Sequence, residues 1–368
     1  MSEKSSRVWF VAAGTGGHIF PGLTLADELK KQNPEFDFLF FGTSDRLESK
    51  IVPSKGYPIQ FLKSGQMKGS SWIRKFLISP LLMLLGMVQV FIELRKKRPL
   101  FVVSVGGYVS VPVGIVAALN RIPLFLLEPN IKAGASNILL SRFAKLAFTT
   151  PGSDALTKFK CQTFDYGNPI RAAIGPQKIA PQVKRILVLG GSQGALSLCR
   201  STLKAFANLK LYENGIFLTL QSGEKNLDQS RQWRSEFEID PYSTVTPFIH
   251  DISKELGQTD LVIARAGAMT VTELTESWLP TIFIPYPYAA DDHQTQNARL
   301  LESSGAARVV LEKSQDFQSE LESAIADLTL GPRQHFDRIA LSQAIKKWSR
   351  PQAAAKISQE ILSFLSNF

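Results

Sequence analysis

Two segments of this chain each run from a short apolar strand into a glycine-rich turn and on into a helix, and this repeated opening narrows the fold sharply. The first reads Arg7-Val-Trp-Phe-Val-Ala-Ala13, then Gly14-Thr-Gly-Gly-His18, then an amphipathic helix from about Phe20 to Gln32. The second reads Arg185-Ile-Leu-Val-Leu-Gly190, then Gly191-Ser-Gln-Gly-Ala195, then a helix to about Leu209. A strand that turns tightly into a returning helix is the unit of a parallel sheet, because parallel neighbours need a crossover. Further short apolar runs follow each opening: Phe36–Phe41, Phe101–Ser104 and Pro123–Leu127, then Gly215–Gln221, Asp260–Ala264 and Thr281–Pro285. The sequence therefore predicts an α/β chain of two Rossmann-like domains with a cleft between them. Its 368 residues also exceed what one hydrophobic core usually fills. Gly167-Asn-Pro-Ile-Arg171, with Gly175-Pro176 and Pro181, reads as the linker, and a helix over about Pro351–Phe368 could pack on either domain.

Charge separates the halves. Residues 1–170 carry 21 Lys and Arg against 11 Asp and Glu, whereas the remainder carries 21 of each, so the whole net charge of +10 sits in the first half. Such asymmetry points to an anionic partner, nucleic acid or anionic lipid. There is no RNP-like aromatic motif, zinc finger or basic recognition helix, so nucleic acid is the weaker reading. Two cysteines and four scattered histidines exclude a disulfide framework and suggest no metal cluster. The polar start, Met1 to Arg7, lacks the apolar core of a secretory signal, and a cytosolic active site is expected.

Trp72 to Arg98 is unusual. Phe76 to Ile92 is nearly continuous apolar sequence, bracketed by Arg74-Lys75 and by Arg95-Lys96-Lys97-Arg98. It is short for a spanning helix and carries Ser79, Pro80, Gly86 and Gln89. Two readings stand: a buried helix of the first domain, or a membrane-surface contact in which Trp72, Arg74, Lys75, Phe76 and the Arg95–Arg98 run meet lipid.

The turns themselves suggest phosphate. Glycines between a strand and a helix let backbone N–H groups approach an anion at the positive end of the helix dipole. Gly14-Thr-Gly-Gly-His18 fails the dinucleotide fingerprint, since its third glycine would fall at Ile19, and it lacks the Gly-Lys-Ser/Thr of a P-loop. A structural tight turn is the alternative. Gly190-Gly-Ser-Gln-Gly194 adds the Ser192 hydroxyl and the Gln193 amide. Arg265-Ala-Gly-Ala-Met-Thr-Val-Thr-Glu273 follows a strand and opens another helix, where Glu273 either receives a ribose diol or complements the helix dipole. Ile284-Pro-Tyr-Pro-Tyr-Ala-Ala-Asp-Asp-His-Gln-Thr-Gln-Asn297 is too polar and too Pro-rich for core, and its amides could read sugar hydroxyls. No Asp-x-Asp motif is present, and Asp291-Asp292 is only its nearest imitation.

Taken in order, Gly14-Thr-Gly-Gly-His-Ile-Phe-Pro-Gly22, Gly106-Gly-Tyr-Val-Ser110, Gly167-Asn-Pro-Ile-Arg171, Gly190-Gly-Ser-Gln-Gly-Ala195 and Asp291-Asp-His-Gln-Thr-Gln-Asn-Ala298 resemble the MurG family. These are the peptidoglycan N-acetylglucosaminyltransferases that convert lipid I to lipid II. The resemblance implies a GT-B fold, with two parallel sheets facing across a cleft. It implies an acceptor- and membrane-binding domain over 1–166 plus 351–368, and a UDP-GlcNAc-binding domain over 167–350. It implies that Thr15, Gly16 and Gly17 face the reacting sugar and acceptor pyrophosphate, and that Asn130 touches the GlcNAc. Arg171 and Ser192 would meet the diphosphate, the backbone of Ile249 the uracil, and Ala268, Met269 and Thr270 the phosphates. Glu273 would hold the ribose and Gln294 the GlcNAc hydroxyls. Leu127-Glu-Pro-Asn130 replaces the family's usual His-Glu-Gln-Asn, and the loop Ile131-Lys-Ala-Gly-Ala-Ser-Asn137 is also altered, which touches the acceptor side.

The implied reaction is a single inverting displacement without metal or other cofactor. His18 is the candidate general base, with orientation of the loop or the pyrophosphate as its other role, and Glu128 is a rival base. The implied partners are UDP-GlcNAc, a lipid-linked pyrophosphate acceptor and the anionic cytoplasmic face of the bacterial inner membrane, with no nucleic acid. A related transferase with another lipid acceptor, or a non-catalytic nucleotide-sugar-binding scaffold at the membrane, would share much of this pattern.

Overall fold

The computed structural model describes residues 6–14, 16–63, 79–170, 174–191, 194–289 and 292–367. The chain forms two compact units, Met1–Arg171 with Arg350–Phe368, and Ala172–Ser349.

Unit 1 opens with β1 (Arg7–Ala12), α1 (Gly16–Gln32), β2 (Asp37–Gly42), α2 (Glu48–Ser54) and β3 (Ile59–Phe61). It continues through α3 (Ser79–Lys96), β4 (Phe101–Gly106), α4 (Ser110–Leu119) and β5 (Leu124–Glu128). Then come α5 (Ala135–Leu140), β6 (Leu146–Thr149), α6 (Ala155–Lys158) and β7 (Gln162–Phe164). The seven strands lie in the order β3-β2-β1-β4-β5-β6-β7, each pair parallel. Period-two alternation divides β1 between two cores. Val8, Phe10 and Ala12 pack with Ile19, Leu23 and Leu25 of α1, while Trp9, Val11 and Ala13 pack with Val90 and Leu94 of α3 and Val113 of α4. A sheet covered on both faces explains why its strands read as unbroken apolar runs. At Gly22 the added Cβ of any other residue would meet Val105 and Ala12 at 3.2 and 3.3 Å, so glycine lets α1 lie close against the sheet.

Unit 2 repeats the plan with β8 (Arg185–Leu189), α7 (Leu196–Asn208), β9 (Phe217–Gln221), α8 (Leu227–Glu236), β10 (Ser243–Thr246) and α9 (Ile252–Leu256). It continues with β11 (Leu261–Ala264), α10 (Ala268–Ser277), β12 (Thr281–Phe283), α11 (His293–Ser303) and β13 (Arg308–Val309). Helices α12 (Phe317–Thr329) and α13 (Gln334–Lys346) complete it. The six strands, order β10-β9-β8-β11-β12-β13, are again all parallel. After unit 2 the chain returns to unit 1, where α14 (Ala353–Ser366) buries Ile357 and Ile361 beside α1. Each buried isoleucine contributes about 2 kcal/mol of transfer free energy. Gln32 at the end of α1 donates to the Ser358 hydroxyl at 2.6 Å, and Phe364 meets Phe125 edge-on.

Helix α3 has two faces. Val90 and Leu94 are core, and Gly86 sits where a Cβ would press on the Lys63 carbonyl oxygen. Leu81, Leu84, Leu85, Val88, Phe91 and Ile92 are exposed, a stripe at helical spacing that the core does not use. Among the described residues, no helix is long and apolar enough to cross a membrane. Of the basic residues expected to meet lipid, Arg95 lies over the Phe91 ring, Lys96 pairs with Glu93, Lys97 pairs with Asp37, and Arg98 donates to the Asn120 carbonyl. Trp72, Arg74, Lys75 and Phe76 lie outside the described residues.

Candidate functional site

In an open parallel sheet the strand order reverses at one point, and ligands bind beyond the carboxyl ends of the two strands that flank it. In unit 1 that point lies between β1 and β4, and in unit 2 between β8 and β11. The four strand ends carry the Gly14 turn, Gly106-Gly107, the Gly190 turn and Arg265-Ala266-Gly267. Topology thus selects three turns that the residues themselves singled out and a fourth, Gly106-Gly107, that entered with the resemblance.

In unit 1, α1 begins at Gly16, so Gly16, Gly17 and His18 form its first turn. The helix starts earlier than its apolar periodicity suggests, because packing on the sheet overrides the poor helix propensity of glycine. Thr15 lies outside the described residues. The turn is braced from beneath by Glu48, fully buried, which accepts the Gly14 N–H at 3.2 Å through Oε2. Its Oε1 accepts the Thr43 amide at 3.0 Å and the Thr43 hydroxyl at 2.9 Å. His18 is half-buried and lies against Gly106. A Cβ there would come within 3.2 Å of Cδ2 and 3.3 Å of Nε2, and Gly106 has φ +115°. Glycine is required at this position both by its backbone and by the imidazole.

A buried polar network adjoins. Glu128 ends β5 with 1 % exposure. Its Oε1 accepts the amide N–H and the side-chain amide of Asn130 at 3.1 and 3.2 Å. Its Oε2 accepts the Gly134 N–H at 2.9 Å and Asn137 Nδ2 at 3.0 Å. Burial pushes the Glu128 carboxyl above its ordinary range, and these hydrogen bonds oppose the shift. Asn137 also accepts from the Ser104 hydroxyl, and its amide nitrogen lies 3.5 Å from the position a Gly106 Cβ would take. His18 and Asn137 thus both border Gly106, and Asn137 is joined to Asn130 through Glu128. The altered loop remains tightly held. Pro129 brings no N–H, but its carbonyl accepts Asn168 Nδ2 at 3.0 Å, tying it to the Gly167-Asn-Pro segment.

In unit 2, Gly194 has φ +76°, and its N–H donates to the Gly191 carbonyl at 3.1 Å. A Cβ on Gly194 would collide with the Ser222 carbonyl oxygen and the Asn226 amide. Helix α10 starts after Gly267 with no side-chain cap, which leaves its first-turn N–H groups for an anion. Of its ten residues only Met269, Thr270 and Glu273 are not buried, and they share one face at i, i+1 and i+4. Ala268 lies at its buried start. Ile249 is half-buried on the core cluster of β8 and β11, following Phe248, whose carbonyl accepts the Thr246 hydroxyl. Gln294 stands in the first turn of α11, and its Oε1 accepts the Tyr286 N–H at 3.0 Å. Arg171, Ser192 and Asp291 lie outside the described residues. Asp292 accepts the Thr295 hydroxyl at 2.7 Å. Among the described residues, no group of three His, Cys, Asp or Glu side chains is arranged to hold a metal ion.

Sequence reasoning passed over Glu48, Asn137 and Arg265. No pattern distinguishes a buried Glu48 from an ordinary acid at a helix start, since only the fold brings Gly14 and Thr43 to it. Arg95, Lys96, Lys97 and Arg98, at the end of α3, belong to neither constellation.

The chain is similar to known proteins along nearly all of its length. Residues 8–149 match the glycosyltransferase family 28 N-terminal domain, and residues 185–356 the family 28 C-terminal domain. A UDP-N-acetylglucosamine–N-acetylmuramyl-(pentapeptide) pyrophosphoryl-undecaprenol N-acetylglucosamine transferase of Anaeromyxobacter sp. (strain Fw109-5) is 38 % identical, over 96 % of this chain and 92 % of that one. The protein of that name from Colwellia psychrerythraea is 35 % identical over 98 % and 94 %. The crystal structure of Acinetobacter baumannii MurG superposes with a TM-score of 0.77 at 26 % identity, covering 97 % of this chain and 99 % of that one.

Proposed function

The chain belongs to glycosyltransferase family 28 and, within it, to the MurG family with its GT-B fold; from that premise we propose that it transfers N-acetylglucosamine from UDP-GlcNAc to lipid I, giving lipid II for peptidoglycan. The observation that carries this reading is the pair of switch-point sites, one built around an imidazole and the other around a glycine turn and an uncapped helix start.

The chemistry follows from what each site offers. His18 takes the proton of the MurNAc C4 hydroxyl as that oxygen attacks C1 of the donor sugar from the face opposite the diphosphate. The new C1–O bond forms as the bond to the diphosphate breaks, and UDP departs with the electron pair, inverting the anomeric centre. Glu128 is poorly suited to that proton transfer, because both its oxygens already accept hydrogen bonds. Its part is to hold Asn130 toward the GlcNAc. Thr15, Gly16 and Gly17 receive the acceptor pyrophosphate. In unit 2, Arg171, Ser192, the amides of the Gly190 turn and the start of α10, with Ala268, Met269 and Thr270, meet the leaving charge. Glu273 holds the ribose, the Ile249 backbone the uracil, and Gln294 the sugar hydroxyls. Fixed donors of this kind make a divalent cation unnecessary.

The test is UDP release from UDP-GlcNAc in EDTA, with and without a lipid I analogue. Acceptor-dependent release, unchanged when Mg²⁺ replaces EDTA, is the expected result. Release that needs Mg²⁺ would overturn the metal-free mechanism, and release only with a different lipid acceptor would overturn the assignment of lipid I.

The exposed stripe of α3 supports docking at the cytoplasmic face of the inner membrane. Lys96 and Lys97 are partly neutralised by Glu93 and Asp37, so the apolar side chains, with Arg95 at their end, supply most of the attraction. Inserting one leucine or valine is worth about 1.5–3 kcal/mol. Replacing Leu84 and Val88 together by glutamate is expected to weaken binding to anionic phospholipid vesicles by roughly a hundredfold or more. Charge reversal at Lys96 and Lys97 is expected to do less. Equal loss from both pairs in a vesicle co-sedimentation assay would return the leading part to charge.

A further inference from the structure

Arg265 opens the Arg265–Glu273 motif, and the proposed mechanism leaves its side chain unused. It follows β11, at the switch point, and is 6 % exposed. Its Nη1 donates to the carbonyls of Ile284 and Pro285, each at 3.0 Å, and lies 2.5 Å from Glu312 Oε2. Its Nη2 donates to the Ser197 hydroxyl at 3.4 Å, and its guanidinium lies 5.6 Å from the Tyr286 ring centroid. Ser197, in the first turn of α7, donates in turn to Glu312 Oε1 at 2.5 Å. A buried ion pair is a costly way to fill space. What it adds over an apolar filling is a planar fork whose directions are fixed.

Those directions lead to Gln294. The residue after Pro285 is Tyr286, whose N–H donates to Gln294 Oε1. A backbone N–H can be met only by the oxygen of a side-chain amide, so the Gln294 NH₂ is turned the other way, as a donor. One helical turn on, Asn297 Nδ2 donates to the Ala266 carbonyl at 3.0 Å and fastens α11 to the backbone beside Arg265. Gln294 is therefore aimed from both ends by groups at or next to Arg265.

We propose that Arg265 is a positioning residue for donor choice: through Pro285 and Tyr286 it presents the Gln294 amide to the donor sugar, while itself touching neither sugar nor nucleotide. This rests on the reading of Gln294 as the residue that meets sugar hydroxyls. Lysine keeps the charge but lacks the fork, and one ammonium cannot serve both carbonyls, Ser197 and Glu312 in the same geometry.

The experiment compares kcat/KM for UDP-GlcNAc and for UDP-GalNAc, epimeric at one hydroxyl, in the full chain. Arg265→Lys is expected to lower the preference for UDP-GlcNAc by about tenfold, through a higher KM, with UDP affinity in calorimetry kept within about twofold. Glu312→Gln should move the preference the same way by less, and it carries the test if Arg265→Lys does not fold. Gln294→Ala should lower the same ratio, and Arg265→Lys should add little to it in the double variant. An unchanged ratio in Arg265→Lys and Glu312→Gln overturns the proposal. So does a parallel loss of UDP and UDP-GlcNAc affinity, which a merely structural role would give. Gln294→Ala with its preference intact overturns it too. Wild-type protein that releases no UDP with a lipid I analogue instead refutes the proposed reaction, a separately visible failure.

Discussion

His18→Ala is expected to cut turnover by about 10²–10⁴-fold while leaving UDP affinity close to that of the unchanged protein. The imidazole is the nitrogen base of the unit 1 constellation, and Gly106 makes room for its Nε2 edge. Truncation removes the proposed proton acceptor without disturbing the sheet, because the Gly14 turn stays anchored on Glu48. It also leaves the Asn130 loop in place, since that loop hangs on Glu128. Single-turnover kinetics with a lipid I analogue, beside calorimetric titration with UDP, separates the two quantities. Undiminished turnover would remove His18 from the proton transfer. A matched loss of UDP affinity would make it a structural residue.

Gly194→Ala is expected to abolish most donor binding and to destabilise unit 2 by about 2–4 kcal/mol. The methyl would enter the space of the Ser222 carbonyl oxygen and the Asn226 amide, on a backbone whose φ of +76° already favours glycine. Neither neighbour is a loose chain end. The Ser222 amide is itself bonded to the Thr246 carbonyl, and Asn226 Nδ2 to the Ser222 carbonyl. The turn must therefore move, and with it the amides proposed to meet the diphosphate. Gly175→Ala is the control, because a Cβ there meets nothing within 4 Å and the backbone is unstrained. Thermal unfolding and UDP titration of the two variants should differ sharply. A Gly194→Ala protein with normal UDP affinity would show that the second turn does not hold the diphosphate.

The parts of the fold that could be read in advance are those where one physical signal dominates. β1 and β8 are buried on both faces, so their apolar runs are continuous, and the glycines after them have few other uses. β3, β6, β7, β10 and β13 escaped notice because they are two to four residues long and lie at or beside sheet edges. The first turn of α1 escaped because Gly16 and Gly17 argue locally against helix. For the candidate site, the residues offered to ligand stood out as motifs. Those that hold them, Glu48, Asn137 and Arg265, did not. Their roles depend on partners 33 to 68 positions away or on a neighbouring strand end, and no local pattern encodes that pairing. The Pro129 departure looked disruptive from the sequence, yet its loop is closed by Glu128 and Asn168, which ask nothing of the missing N–H.

The division of unit 1 has a bearing on how the protein is made. Unit 2 is one uninterrupted stretch, whereas the core of unit 1 draws Ala353, Ile357 and Ile361 from a helix that leaves the ribosome only after all of unit 2. During synthesis the first sheet must wait with one flank of α1 uncovered, while the second sheet already has every strand and helix it needs. Vectorial folding in this chain therefore runs against the order of its units: the second can close first, and the first is sealed by a helix that emerges after it.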